Sequence, residues 1–178
     1  MAVRCIINNM EQTTKEKIIN EAKRIEEDSL FSAKGHFYAA QKWASVHLWL
    51  GVPAAILAAI AGASALSQFE NHNIIAGVLA IIVSALSAVA TFLNPNEKSI
   101  LHHNSGNQYN NLRNSARIFS EINLDLLSKE DDILHELKKL NEQRSELNQK
   151  SPQIPKWAYE KAKIGIEKGE SLYMIDSK

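Results

Sequence analysis

Charged side chains are missing from two long stretches of this 178-residue chain. No Asp, Glu, Lys or Arg occurs in residues 43–69 or in residues 71–96. A helix needs ~20 predominantly apolar residues to cross the ~30 Å hydrocarbon core of a bilayer. Two segments meet that requirement, 46–66 and 74–93. The sequence therefore predicts two transmembrane helices, joined by a loop at 67–73 that is too short to hold a domain.

Other shortages exclude classes of function. The single cysteine, Cys5, excludes an intramolecular disulfide and a multi-cysteine zinc site. Lys and Arg equal Asp and Glu at 20 each and form no unopposed basic block, so nucleic acid is not an expected partner. The chain has no glycine-rich phosphate loop, no Gly-x-Ser-x-Gly and no His-Glu-x-x-His. We expect a protein that is not an enzyme and that uses no cofactor.

A metal site is not expected either. His102 and His103 are adjacent, and neighbouring residues of a helix point about 100° apart, so the two rings do not converge on one ion. The first 42 residues carry charges throughout and hold no apolar core, which argues against a cleaved signal peptide.

The predicted fold is an all-α membrane protein. A transmembrane hairpin at 43–93 separates an N-terminal helical segment, 1–42, from a C-terminal helical region, 94–178. Of the Lys and Arg residues, 7 lie in 1–42, 13 lie in 94–178 and none lies in the loop. Because positive charge is retained on the cytoplasmic side, we expect both termini to be cytoplasmic.

The polar segments are also predicted to be helical. A first helix is expected from Thr14, with its apolar residues three and four apart, and it approaches the membrane. Asn94-Pro95 ends the second span and begins a new helix. Further helices are predicted at about 98–127, 129–149 and 156–168. The third of these four carries a stripe typical of a bundle or coiled-coil seam, formed by Ile133, Leu137, Leu140 and Leu147.

Each span carries a stripe of small or polar residues at steps of three and four. In the first span these are Gly51, Ala55, Ala58 and Gly62, and in the second they are Gly77, Ala80, Ser84, Ser87 and Thr91. Small residues let membrane helices approach closely, so one interpretation is a packing face that joins the two helices or several copies. The other interpretation is a face that lines a water-filled path, which requires several subunits because two helices enclose no pore.

Three segments in a fixed order give the chain a resemblance to a known family. They are EAKRIEEDSLFSAKGHFYAAQKWASVHLWLGVPAAILAAIAG, LNPNEKSILHHNSGNQYNNLRNSARIF after the second span, and SPQIPKWAYEKAKIGIEKGE near the end. Together they span most of the chain. This arrangement resembles the SLATT family, two-transmembrane effector domains associated with bacterial defence systems that use nucleotide second messengers.

The resemblance implies an oligomeric, pore-forming membrane effector that acts when an associated sensor detects infection. Tyr109, Arg113 and Arg117 lie in the most family-like stretch, where they are either structural or receive the signal. The chain holds no segment long enough for a fused nucleotide-signalling domain, so the expected partners are the lipid bilayer, further copies of the chain and a separate sensor protein.

Two alternatives remain open from the sequence. In the first, the protein is a membrane-anchored scaffold or adaptor, and the hairpin only tethers helices that bind a partner. In the second, the chain is a soluble bundle that buries the hairpin, although two uncharged stretches of this length need a larger core than the other residues readily provide.

Overall fold

The computed structural model describes the backbone of residues 2–123 and 130–177, and the side chains of residues 14–122 and 131–175. Within these residues every regular element is helical. Helix α1 is Ala2–Ala65, α2 is His72–Leu93 and α3 is Pro95–Ile118, which continues as a π-helical turn at Phe119–Asn123. Helix α4 is Glu130–Lys150, α5 is Lys156–Glu167, and a 3₁₀ turn follows at Met174–Ser177. The predicted helix ends at 127 and 129 lie outside the described residues.

The chain divides into two compact units. The hairpin unit is Ala39–Leu101, and the helical unit combines Met1–Tyr38 with His102–Lys178. Both boundaries fall inside helices, four residues before the predicted boundary at 42/43 and eight residues after the one at 93/94.

The two apolar segments form long helices, as predicted. Helix α1 continues through Pro53 without a break. The turn between the helices ends at Asn71, which has a φ of 63°, and Asn94, the residue that follows α2, has a φ of 43°. Asparagine is one of the few residues that adopt this left-handed conformation readily. The Asn94 amide still bonds to the carbonyl of Ala90, and Pro95 is the first residue of α3, as expected from the sequence.

The most apolar 18-residue windows of both candidate spans contain no buried residue. Burying these segments in a bundle core was the requirement of the soluble alternative, and the structure does not meet it. Large side chains such as Ile81, which is 72% exposed, instead cover the outside of the hairpin.

A core in the helical unit holds α1, α3 and α4 together. The predicted stripe of the first helix supplies Ala22 and Ile25, which are fully buried. Helix α3 supplies Leu112 and Ala116, and the π-helical turn after it supplies Phe119. Leu140 of α4 closes this core, and the rest of its predicted stripe packs beside it: Ile133, Leu137 and Leu147. The stripe on α4 is therefore a seam inside the bundle.

Two glycines allow side chains to approach these helices closely. A Cβ atom on Gly106 would lie 2.8 Å from Cε1 of Phe37, and one on Gly35 would lie 3.0 Å from Cγ2 of Ile154. The second approach seats the Pro-rich turn before α5 against α1. Helix α5 itself buries its small residues Ala158, Ala162 and Gly165.

Candidate functional site

The two spans face each other mainly through Leu, Val and Ala side chains. In α1 the least exposed positions of the span follow one face, and Leu50, Leu57 and Ala61 are typical of it. In α2 the corresponding face repeats strictly at steps of four and three: His72, Ala76, Leu79, Val83, Leu86, Ala90 and Leu93. This spacing is that of a left-handed helix pair, in which one seam of side chains stays turned toward the partner helix.

All nine small or polar stripe residues are exposed in the hairpin. They are Gly51, Ala55, Ala58 and Gly62 of α1 with Gly77, Ala80, Ser84, Ser87 and Thr91 of α2, and we call this set the small face. A Cβ atom added at any of the three glycines would find nothing within 4 Å. The stripes therefore do not form the contact between the two helices of one chain, which was one possibility that the sequence left open.

Both stripes lie on the same side of the hairpin. Counted at about 100° per residue, each stripe lies about 110° around its helix from the seam, in the direction of increasing residue number. Because the two helices run antiparallel, equal rotations in that direction bring both stripes to one side. Bulky residues such as Val52, Ile56, Val78 and Ile81 occupy the opposite side, which we call the bulky face. The hairpin thus has one small face and one bulky face.

The hydroxyl group of Ser84 on the small face is bonded within its own helix. Ser84 donates from Oγ to the carbonyl of Ala80 at 2.8 Å, one turn earlier in α2. A Ser bonded in this way has its donor satisfied, while its oxygen can still accept a further hydrogen bond. Such a surface suits both close helix packing and contact with water.

The helical unit contains a buried histidine pair that joins α1 to α3. His36 and His102 are 1% and 5% exposed, and their Nδ1 atoms lie 2.9 Å apart. At this distance one ring donates and the other accepts. Burial and, to a smaller extent, the neighbouring His102 lower the pKa of His36 to about 4. Burial also lowers the pKa of His102, so the pair is neutral at pH 7.

Tyr109 connects this pair to α4. Its ring stacks on His36 with centroids 5.4 Å apart, and its hydroxyl donates to Oδ1 of Asn148 at 2.8 Å. Burial raises the pKa of Tyr109, so the hydroxyl stays protonated and keeps its role as donor. Tyr109 also lines a cleft of about 430 Å³ between α1, α3, α4 and α5. This residue is therefore a link between three helices and part of a cavity wall.

Arg113 and Arg117 lie one and two turns further along α3 and contact the C-terminal segment instead. Their guanidinium carbons lie 5.5 Å and 5.0 Å from the ring centroid of Tyr173. Cations over an aromatic face are attracted by the ring quadrupole. Burial raises the pKa of Glu26, and these two arginines oppose the shift. The three residues that the resemblance singled out thus belong to two different places, Tyr109 at the cleft and the arginines at the C-terminal segment.

The histidine pair was not predicted from the sequence. His102 was considered only with its neighbour His103, whereas its partner is 66 residues away in the sequence. No local spacing signals such a pairing. Within the described residues no group of three or more His, Cys, Asp or Glu could hold a metal ion.

Comparisons with known proteins agree with the resemblance seen in the sequence. The family model described as SMODS and SLOG-associating 2TM effector domain family 4 matches residues 18–177. No curated protein and no solved structure matches the chain.

Proposed function

The chain belongs to the SMODS and SLOG-associating 2TM effector domain family 4, and we propose that it is a pore-forming effector of a bacterial defence system linked to a nucleotide signal. In this proposal the hairpin spans the inner membrane, both termini are cytoplasmic, and several copies assemble. A separate sensor protein supplies the signal, and the helical unit transmits it to the spans.

One observation carries the pore proposal: the small face is exposed in the part of the chain that the structure describes, and it lies entirely on one side of the hairpin. A bulky face toward lipid and a small face toward other copies is the arrangement expected of an assembling membrane helix pair, because lipid tails solvate Ile and Val as well as protein does. Copies arranged in a ring with the small face inward would place Ser84, Ser87 and Thr91 beside the enclosed space. These three residues supply the hydroxyl groups that a water-filled path needs.

Release of a dye from liposomes tests this proposal directly. Replacing Ser84 and Ser87 by leucine narrows the enclosed space and removes two of its hydroxyl groups. Because a narrow apolar constriction excludes water, we expect the release of dye to fall by about tenfold. The matched control replaces Ile81 and Val89, which are exposed and belong to the bulky face, by leucine. This control should release dye like the wild type. Liposomes that stay intact with the wild-type protein, with or without an activating partner, contradict the pore.

A membrane-anchored scaffold is the second candidate, and the division of the chain into two units favours it. The helical unit has its own core, so it could present a binding surface whatever anchors it. A chimera in which an unrelated two-helix anchor replaces residues 46–93 separates the two candidates. Full defence activity of the chimera in cells supports the scaffold. Loss of defence activity, while the helical unit is still correctly folded, supports the pore.

A further inference from the structure

The cleft between the four helices of the helical unit has the size of a ligand site. Its volume is about 430 Å³, and small-molecule sites typically measure ~300–1,000 Å³. Helix α1 supplies one wall, and Tyr109, Arg144 and Tyr159 represent the other three helices. A molecule bound here would contact every long helix of the unit at once.

The charges that line the cleft favour a cation. Glu27 and Asp28 contribute two carboxylates, and Arg144 is the only cationic residue of the lining. Arg144 is already occupied, because Nη1 pairs with Oδ2 of Asp28 at 3.1 Å and Nη2 donates to Oδ1 of Asn141. Glu27 has no ion-pair partner among the residues that the structure describes. The lining therefore keeps one uncompensated negative charge and offers no free cation to a phosphate group.

Aromatic rings in the same lining also suit a cation. Phe31 of α1 and Tyr159 of α5 lie with centroids 6.0 Å apart, inclined at 33°. The faces of such rings attract ammonium and guanidinium groups and give apolar contact to the carbon atoms beside them. Carboxylates next to aromatic faces combine the two kinds of attraction.

An unpaired buried hydroxyl completes the site. Ser29 lines the cleft, is 1% exposed, and its Oγ has no hydrogen-bond partner within the described part of the chain. A buried polar group without a partner is destabilising, and a ligand N–H that reached this oxygen would relieve that cost. Ammonium and guanidinium groups carry only donors, so they match both an unpaired acceptor and a free carboxylate.

We propose that this cleft binds a small organic cation, an ammonium or guanidinium compound. The carboxylate of Glu27 pairs with the cationic group of the ligand, and Oγ of Ser29 accepts a hydrogen bond from one of the ligand's N–H groups. Phe31 and Tyr159 contact the carbon chain of the ligand. This site is independent of whether the hairpin forms a pore.

Isothermal titration calorimetry on the full chain in detergent micelles tests the proposal, with agmatine as the probe because it carries both cationic groups. We expect saturable binding with one molecule per chain. The variant Glu27→Gln should weaken it at least tenfold, since it removes the free charge without changing the shape of an exposed side chain. Ser29→Ala should also weaken it, while thermal stability stays the same or rises because the hydroxyl has no partner to lose.

The matched control is Glu16→Gln, the same change at an exposed position of the same helix. It should bind agmatine like the wild type. The site is refuted if agmatine does not bind, or if Glu27→Gln and Glu16→Gln bind it equally well. Tighter saturable binding of pyrophosphate than of agmatine also refutes it, since that would show an anion site.

Discussion

At the scale of single residues, the histidine pair makes the helical unit sensitive to acid. A proton added to the accepting Nδ1 removes the 2.9 Å hydrogen bond between His36 and His102 and places a charge in a buried site. Burial favours the uncharged rings, and the stacked ring of Tyr109 provides no countercharge to a protonated histidine. The pair is therefore a structural contact near neutral pH and a source of instability below it.

The direction of this pH dependence follows from proton binding. The pKa of His36 is about 4 in the folded chain against 6.5 for the free side chain, so between these values the unfolded chain binds more protons. The contribution of the pair is present above pH 6.5 and is lost as the pH falls toward 4. We expect His36 to contribute on the order of 2–3 kcal/mol to this loss.

Thermal unfolding in detergent, followed by circular dichroism at pH 7 and pH 4.5, checks the expectation. His36→Gln keeps a hydrogen-bonding side chain but cannot titrate, so its stability should fall less between the two pH values than that of the wild type. His135→Gln, at an exposed position of α4, should behave like the wild type. Equal losses in all three proteins would exclude the pair as the source.

At the scale of helices, the sequence predicted some faces and missed others for a physical reason. The stripe of Ile133, Leu137, Leu140 and Leu147 was visible because the rest of its helix is polar and charged, so regularly spaced apolar residues mark the face that packs on the core. The seam between the two spans, with Leu57 and Val83 among its residues, was not visible. In a lipid environment apolar residues occur on every side, so hydrophobicity does not distinguish the partner helix from the bilayer.

For the small face, the sequence identified the residues but not their neighbours. Its residues were recognised because they are small, but that property does not say which helix they meet. Only the seam in the structure shows that Gly62 and Gly77 turn away from the partner helix of their own chain. Similarly, the cleft needs Glu27, Tyr109 and Tyr159 to come from three helices, and spacing along the sequence does not reveal that arrangement.

Cysteine cross-linking tests whether the small face meets another copy. In a Cys5→Ala background, Ser87→Cys should form disulfide-linked dimers in the membrane when copper phenanthroline is added, since disulfide formation needs Cα atoms within ~7 Å. Val89→Cys, two residues away on the bulky face, should remain monomeric under the same oxidation. Equal cross-linking at both positions would indicate random collision, and none at Ser87 would argue against assembly through the small face.

At the scale of the whole molecule, the distribution of charged and apolar residues along the chain matches its division into two units. The hairpin unit carries the two charge-free stretches, whereas the helical unit carries most Lys and Arg and has a core that packs like that of a water-soluble bundle. Each unit is thus suited to a different solvent. Both unit boundaries lie within helices, α1 and α3, and the function proposed above uses these two continuous helices to carry the signal to the spans.

The distribution of positive charge makes a prediction about orientation. All 20 Lys and Arg lie outside the hairpin, and translocation of segments rich in Lys and Arg is disfavoured, so only the loop should cross to the periplasm. In a Cys5→Ala background, Gln68→Cys in the loop should react with a membrane-impermeant maleimide in intact cells after the outer membrane is opened. Gln153→Cys, before α5, should react only after the inner membrane is lysed. Labelling of Gln153→Cys alone in intact cells would mean the opposite orientation, and labelling of neither before lysis would argue against insertion of the hairpin.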